Sequence, residues 1–167
     1  VTYDGTRICV GTCHHGDTQI WTLSYRRDGS AQITSRWCGK CIDNYRAYLK
    51  QGNRVQLWND NDSDAQRLTI EPTGRTATIN GKSYPTYYIL MAADKNWIVE
   101  CSDVPEKVQD GSWVVVSKNT DTERSELDRH WVFVPVPKFR PDWGVYEVAP
   151  QYYPKLRFAI RGGGKSN

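Results

Sequence analysis

Internal repetition is the feature that most limits what this chain can fold into. Asp17-Thr18-Gln19-Ile20-Trp21-Thr22-Leu23 matches Asp64-Ala65-Gln66-Arg67-Leu68-Thr69-Ile70, and a glycine and a strand-like run follow each, at 29–33 and 74–79. A weaker third copy is Arg129-His130-Trp131-Val132-Phe133, followed by Gly144-Val145-Tyr146-Glu147-Val148. Upstream of the second and third copies, Gly52-Asn53-Arg54-Val55-Gln56-Leu57-Trp58 lines up with Gly111-Ser112-Trp113-Val114-Val115-Val116-Ser117. The unit is about 47 to 63 residues long and occurs three times. Repeats of this length bury their apolar faces on one another, so the chain should form one object built of three like parts.

The composition says what those parts are made of. Valine, isoleucine and threonine outnumber leucine, alanine and methionine, which favours pleated strands over helices. Short alternating runs at 76–79, 113–116, 131–134 and 145–148 are separated by turn pairs such as Asp28-Gly29, Asn80-Gly81 and Asp110-Gly111, a spacing typical of a sandwich or closed barrel. Helical periodicity is weak throughout, with one turn at most at 104–108. The segment 135–141 reads as a turn-rich connection and 162–167 as a flexible tail. At 167 residues and 38% hydrophobic content, a single domain with a modest core is expected. No run approaches 18 consecutive apolar residues, and Val1 is not preceded by a charged-then-apolar leader, so the expectation is a soluble, mature or trimmed chain without membrane insertion. A net charge of +3 is far below the basic balance of a nucleic-acid binder. Seven tryptophans and ten tyrosines against three phenylalanines give most aromatics a polar handle, which suits a surface that holds polar ligands.

Cys41-Ile42-Asp43, then Val55-Gln56-Leu57-Trp58, then Asp64-Ala65-Gln66, resembles one repeat of the ricin B-type lectins and related carbohydrate-binding modules. The resemblance implies an all-β, β-trefoil fold with pseudo-threefold repeats, extending over 1–167 as a single domain. The repeats would be approximately 1–36 plus 143–167, then 37–83, then 84–142. Gln19, Trp21, Gln66 and Trp131 read as the structural repeat motif, the aromatic filling a core layer and the glutamine amide satisfying backbone groups at the repeat junction; Leu68 takes the aromatic's place in the middle copy. The first repeat begins abruptly at 3–10, whereas the segments 143–148 and 155–160 resemble its missing opening. The C-terminal strand is therefore expected to complete the first repeat, bring Asn167 near Val1 and close the barrel, as in a permuted trefoil or one excised from a longer chain.

The resemblance also implies a sugar site in the middle repeat. Asp43 would accept hydrogen bonds from adjacent hydroxyls, Gln56 and Asn61 would donate and accept, and Trp58 would stack on the apolar face of the ring. Ala65 stands where many family members carry an asparagine, leaving Asp62 or Asp64 as replacements. The other repeats read as degenerate: Glu100 and Ser117 hold the aspartate and aromatic positions of the third, Ala159 and Gly11 those of the first. Cys13-His14 matches a Cys-His pair common in the family, so His14 marks a weaker second site.

Five cysteines, Cys9, Cys13, Cys38, Cys41 and Cys101, admit three readings. Trp37-Cys38-Gly39-Lys40-Cys41 has the spacing of a thioredoxin-like redox motif but lacks its strand-then-helix context. Cys9, Cys13, Cys38 and Cys41, with His14 and His15 as substitutes, would count out as a zinc site. The favoured reading is one or two disulfides pinning the first repeat to the second, with Cys101 buried and free. In the family the Cys41 position usually pairs with a cysteine where this chain has Asp60, so Cys41 must pair elsewhere or stay reduced.

No nucleophile elbow, P-loop, HExxH pair or dinucleotide fingerprint is present, and His14, His15 and Asp17 have no evident nucleophile beside them, so no enzyme and no cofactor are expected. The expected function is a secreted or cell-surface lectin, binding a galactose-like or related saccharide without a metal. Its partners would be glycans or glycoproteins, with an attached toxin or enzyme subunit as a further one. Asn61-Asp62-Ser63 is a glycosylation sequon whose modification would block that site. The alternative is a β-trefoil protease inhibitor or protein-interaction module using an exposed loop, at 135–141 or 120–128.

Overall fold

The computed structural model describes residues 3–102, 107–119 and 129–162. The loop at 120–128, Val1 and Asn167 lie outside the described residues, as do most of the turn at 104–108 and of the tail at 162–167. No helix among the described residues is long and apolar enough to cross a membrane. They form twelve strands: β1 (Ile8–Thr12), β2 (Trp21–Tyr25), β3 (Ala31–Ser35), β4 (Cys41–Asn44), β5 (Asn53–Trp58), β6 (Leu68–Ile79), β7 (Lys82–Met91), β8 (Trp97–Cys101), β9 (Val114–Lys118), β10 (Trp131–Pro135), β11 (Val145–Pro150) and β12 (Leu156–Ile160). Short 3-10 turns at Asp17–Gln19, Tyr45–Ala47, Asp64–Gln66 and Pro141–Trp143 link some of them.

Local sequence accounts for many of the boundaries. In β3 alternate residues Ala31, Ile33 and Ser35 are buried while Gln32 and Thr34 are half-buried, the period-2 pattern of a strand with one face on a core. Asn80 and Gly81 both take positive φ, 51° and 80°, which matches the mirror-image turn that joins twisted strands, here β6 and β7.

The hairpins β2–β3, β6–β7 and β10–β11 are joined through β3–β6, β7–β10 and β11–β2 contacts, so these six strands close on themselves without a free edge. The other six form three antiparallel ribbons, β4–β5, β8–β9 and β12–β1. Their inner strands meet in turn: β5 pairs with β9, Arg7 bridges to Gln56 and Cys9 bridges to Trp113. The arrangement is a β-trefoil. Its threefold character holds to the residue, because Asp43 faces Gln56, Glu100 faces Val115 and Ala159 faces Cys9 across the three ribbons. Two residues away, Trp58, Ser117 and Gly11 are again equivalent, opposite Cys41, Ile98 and Arg157.

Trp21, Trp131 and Phe158 sit in the centre, with Phe158 edge-on to both indoles at ring separations of 6.1 and 4.6 Å. Each buried indole N–H donates to a carbonyl of a neighbouring ribbon, Trp21 to Phe158 O at 3.2 Å and Trp131 to Val99 O at 3.0 Å. The third equivalent position holds Leu68, which fills space and brings no polar group to satisfy. Two arginines are also buried, each against a carboxylate: Arg157 on Glu147 at 2.8 Å and Arg129 on Glu100 at 3.2 Å.

Candidate functional site

The ribbon β4–β5 places Asp43 and Gln56 opposite each other, both almost fully buried. Gln56 Nε2 donates to Asp43 Oδ1 at 3.0 Å, and Gln66 Nε2, arriving from the Asp64–Gln66 turn, donates to Asp43 Oδ2 at 3.0 Å. Burial raises the Asp43 pKa above the ordinary carboxylate value; the two amide bonds oppose that shift and the nearby Asp4 adds to it. The carboxylate is thus fixed in orientation, with a second lone pair on each oxygen for a ligand hydroxyl. Gln56 Oε1 is buried and has no partner, a second acceptor beside the carboxylate.

These groups line a cleft of about 520 Å³ together with Trp58, Asn61, Ser63 and Ala65. Trp58 ends β5 with 37% of its surface exposed, so part of the side chain stays wet at the end of a mostly buried strand. Asn61 N donates to Gln66 Oε1 at 3.1 Å and Asn61 Oδ1 accepts from Ser63 N at 3.2 Å, which leaves the exposed side-chain amide N–H₂ for a ligand. All four sequence-predicted residues, Asp43, Gln56, Trp58 and Asn61, therefore meet in one cleft.

Two walls were not predicted. One is the N-terminal turn, where Gly5 N donates to Leu57 O and Asp4 holds Lys40 Nζ at 2.7 Å and Asn59 N at 3.0 Å, so that Asp4 and Gly5 close the side of the cleft next to Trp58. The other is the Tyr45–Ala47 turn, where Arg46 and Ala47 take positive φ of 53° and 58°. Asn53 Nδ2 reaches Asn44 Oδ1 at 2.6 Å and Tyr45 O at 2.8 Å, Asn44 Nδ2 reaches Tyr48 O at 2.9 Å, and Arg54 lies 4.0 Å over the Tyr45 ring. A buried asparagine pair and a cation–π contact thereby hold a strained turn at the mouth. Gln66, read as scaffold, serves both purposes, since its Nε2 also donates to Asn59 O at 2.8 Å.

Residues 17–95 match a family model described as ricin-type beta-trefoil lectin domain-like. That stretch is similar to the ricin-type β-trefoil lectin domains, and it covers a little under half of the chain. A designed 3-fold symmetric protein, ThreeFoil, superposes with a TM-score of 0.65 at 20% identity, over 81% of this chain and 86% of that one. A mosquitocidal holotoxin superposes with a TM-score of 0.58 at 12% identity over 96% of this chain, which spans only 25% of the holotoxin chain. These two likenesses show the fold. No curated protein sequence matches the chain.

Compared with the β4–β5 ribbon, the other two have diverged at several of the equivalent positions. The first keeps the amide, with Gln19 Oε1 accepting from His14 N at 3.0 Å and Gln19 Nε2 donating to Thr12 O at 2.9 Å, as Gln66 does for Asn61 and Asn59. Its carboxylate is gone, since Ala159 takes the place, and a cleft of about 690 Å³ there is lined by His14, Gln19, Asp110, Ala159 and Arg161. The His14 ring is turned back, its Nδ1 accepting from Gly16 N at 2.9 Å. In the third, Arg129 replaces the glutamine and pairs with Glu100, while Ser117 stands where the aromatic would be.

The expected disulfides do not form: none of the five cysteines is bridged. Cys41 Sγ accepts from Gln32 Nε2 at 2.7 Å and lies within the field of Asp60, which holds the family's partner position. Cys9 is buried on β1, 3.7 Å from Ala159 O, and burial pushes its pKa up to about 11, which leaves the thiol inert. The 37–41 motif runs from a turn into β4, with no helix to lower a thiol pKa. Cys13 gathers with His15 and Glu147 rather than with Cys9, Cys38 and Cys41, so the four-thiolate zinc arrangement is not formed.

Proposed function

We propose that this domain binds a galactose-like or related saccharide in the Asp43 cleft, without converting it. The observation that carries the reading is the Asp43 carboxylate, gripped by two glutamine amides at 3.0 Å each, beside a half-exposed tryptophan in a cleft of about 520 Å³. A fixed double acceptor suits two neighbouring hydroxyls, and the indole suits the C–H face of a pyranose. The cleft lies within the range of small-ligand sites. Side chains meet hydroxyls directly, so the proposed binding needs no metal. Glycans or glycoproteins would be the partners, in a secreted or cell-surface setting. The likeness to a quarter of a holotoxin chain supports the idea that such a domain serves an attached effector.

The test is a glycan array with the purified chain in a chelator, run beside Trp58→Ala and Asp43→Asn. One sugar class bound by the wild type and lost in both variants supports the proposal. A folded wild-type protein that binds nothing, or binding that survives in both variants, overturns it.

A further inference from the structure

We propose that Cys13, His15 and Glu147 form a binding site for a single zinc-class divalent metal ion, separate from the Asp43 cleft. Cys13 and His15 lie on the segment that leaves β1, and Glu147 comes from β11, so the three join distant parts of the chain. Cys13 Sγ is 3.6 Å from both His15 Nδ1 and Glu147 Oε1. A tetrahedral ion with ordinary zinc–sulfur and zinc–nitrogen bond lengths separates sulfur from nitrogen by about 3.5–3.6 Å, which is the Cys13–His15 spacing, and Glu147 offers a carboxylate oxygen within 4.8 Å of both. The third edge, His15 Nδ1 to Glu147 Oε2, is 2.7 Å, a hydrogen bond with one proton between the two atoms. An ion in place of that proton needs about 3.4 Å there. The imidazole can make the move, because the His15 side chain is 70% exposed.

The surroundings fit a ligand set better than a chance cluster of surface acids. Glu147 is 4% exposed, and Arg157 Nε holds its Oε1 at 2.8 Å, the outer hydrogen bond that orients a ligating carboxylate and leaves Oε2 for the ion. His15 occupies the left-handed region at φ 58°, a conformation costly for a non-glycine residue that turns its ring toward Cys13 and Glu147 while His14 faces Gly16. A thiolate, an imidazole and a carboxylate select a borderline-soft ion over calcium or magnesium. Three protein ligands leave the fourth position to water or an outside ligand. On binding, Cys13 gives its thiol proton to solvent, and His15 gives up its Nδ1 hydrogen bond to Glu147 and ligates as the neutral imidazole with its proton on Nε2.

Cobalt(II) titration of the reduced full chain tests this, followed by zinc competition. The expected result is one ion per chain, with a thiolate-to-cobalt charge-transfer band that zinc abolishes, and a melting temperature that rises in zinc and falls back in chelator. Glu147→Gln strands a buried arginine and can fail to fold, so Cys13→Ser and the exposed His15→Ala carry the test. Cys13→Ser should lose the charge-transfer band, and His15→Ala should weaken cobalt binding at least tenfold with an unchanged circular dichroism spectrum. No stoichiometric binding by the wild type, a band that survives Cys13→Ser, or undiminished affinity in His15→Ala overturns the proposal.

Discussion

In the proposed saccharide site Asp43 carries two opposing demands, since holding hydroxyls calls for its charge and burial makes that charge costly. Its raised pKa expresses that conflict, with desolvation outweighing the bonds from Gln56 and Gln66. The folded state therefore holds this proton more tightly than the unfolded state. The resulting contribution to stability is complete below the ordinary value of 3.8 and is lost as pH rises through the raised pKa. Saccharide affinity should run the other way, falling on acidification at a higher pH than an ordinary aspartate would dictate, as calorimetric titration across pH would record. Asp43→Asn separates the two effects. Gln56 Oε1 has no partner, so a flipped Gln56 amide can accept from the new Nδ2. Stability at neutral pH should stay within about 1 kcal/mol of wild type by urea denaturation, while sugar affinity drops roughly ten- to a hundredfold for loss of a charged acceptor. Asp43, Gln56, Trp58 and Asn61 could be picked out in the sequence because the middle repeat resembles one repeat of the ricin B-type lectins, and the structure brings the four into one cleft. Asp4 and Gly5 could not, because only docking of a remote turn brings them to the cleft.

At the scale of elements, the β2–β11 junction depends on one glycine. Gly144 has φ +68°, its carbonyl accepts from Leu23 N at 2.8 Å, and a Cβ there would lie 2.5 Å from Leu23 O. Gly29, at φ +86°, has nothing within 4 Å of its added Cβ. Gly29→Ala should cost about 1 kcal/mol for backbone strain alone. Gly144→Ala should cost at least about 1 kcal/mol more, because backbone rather than a flexible side chain must give way. Equal denaturation midpoints for the two variants would contradict the clash. The turn signals that end these strands are local and could be read in sequence, as at Asn80-Gly81. The cysteine pairing could not, since spacing along the chain does not say that Cys41 would face the Gln32 amide and Cys9 a backbone carbonyl.

Over the whole molecule, threefold geometry and single-site chemistry part company. The ribbons superpose residue on residue in register, yet they offer Asp43 with Gln66, Glu100 with Arg129 and Ala159 with Gln19. In the third ribbon the arginine takes up the carboxylate in a buried ion pair, and burial raises the Glu100 pKa while Arg129 and Ser117 oppose that shift. In the first, the position equivalent to Asp43 holds Ala159 and brings no carboxylate. Calorimetry with the free monosaccharide should therefore give one binding event per chain, and Trp58→Ala should abolish it. Placing tryptophan at Ser117 should not create a second event, because the acceptor beside it stays paired with Arg129. Two or three equivalent events would mean that the repeat geometry, rather than the Asp43 carboxylate, makes the site. With one shallow site per chain, tight attachment to a glycan-bearing surface would come from several copies acting together, so avidity should rise when the chain is displayed multivalently and monosaccharide affinity should not.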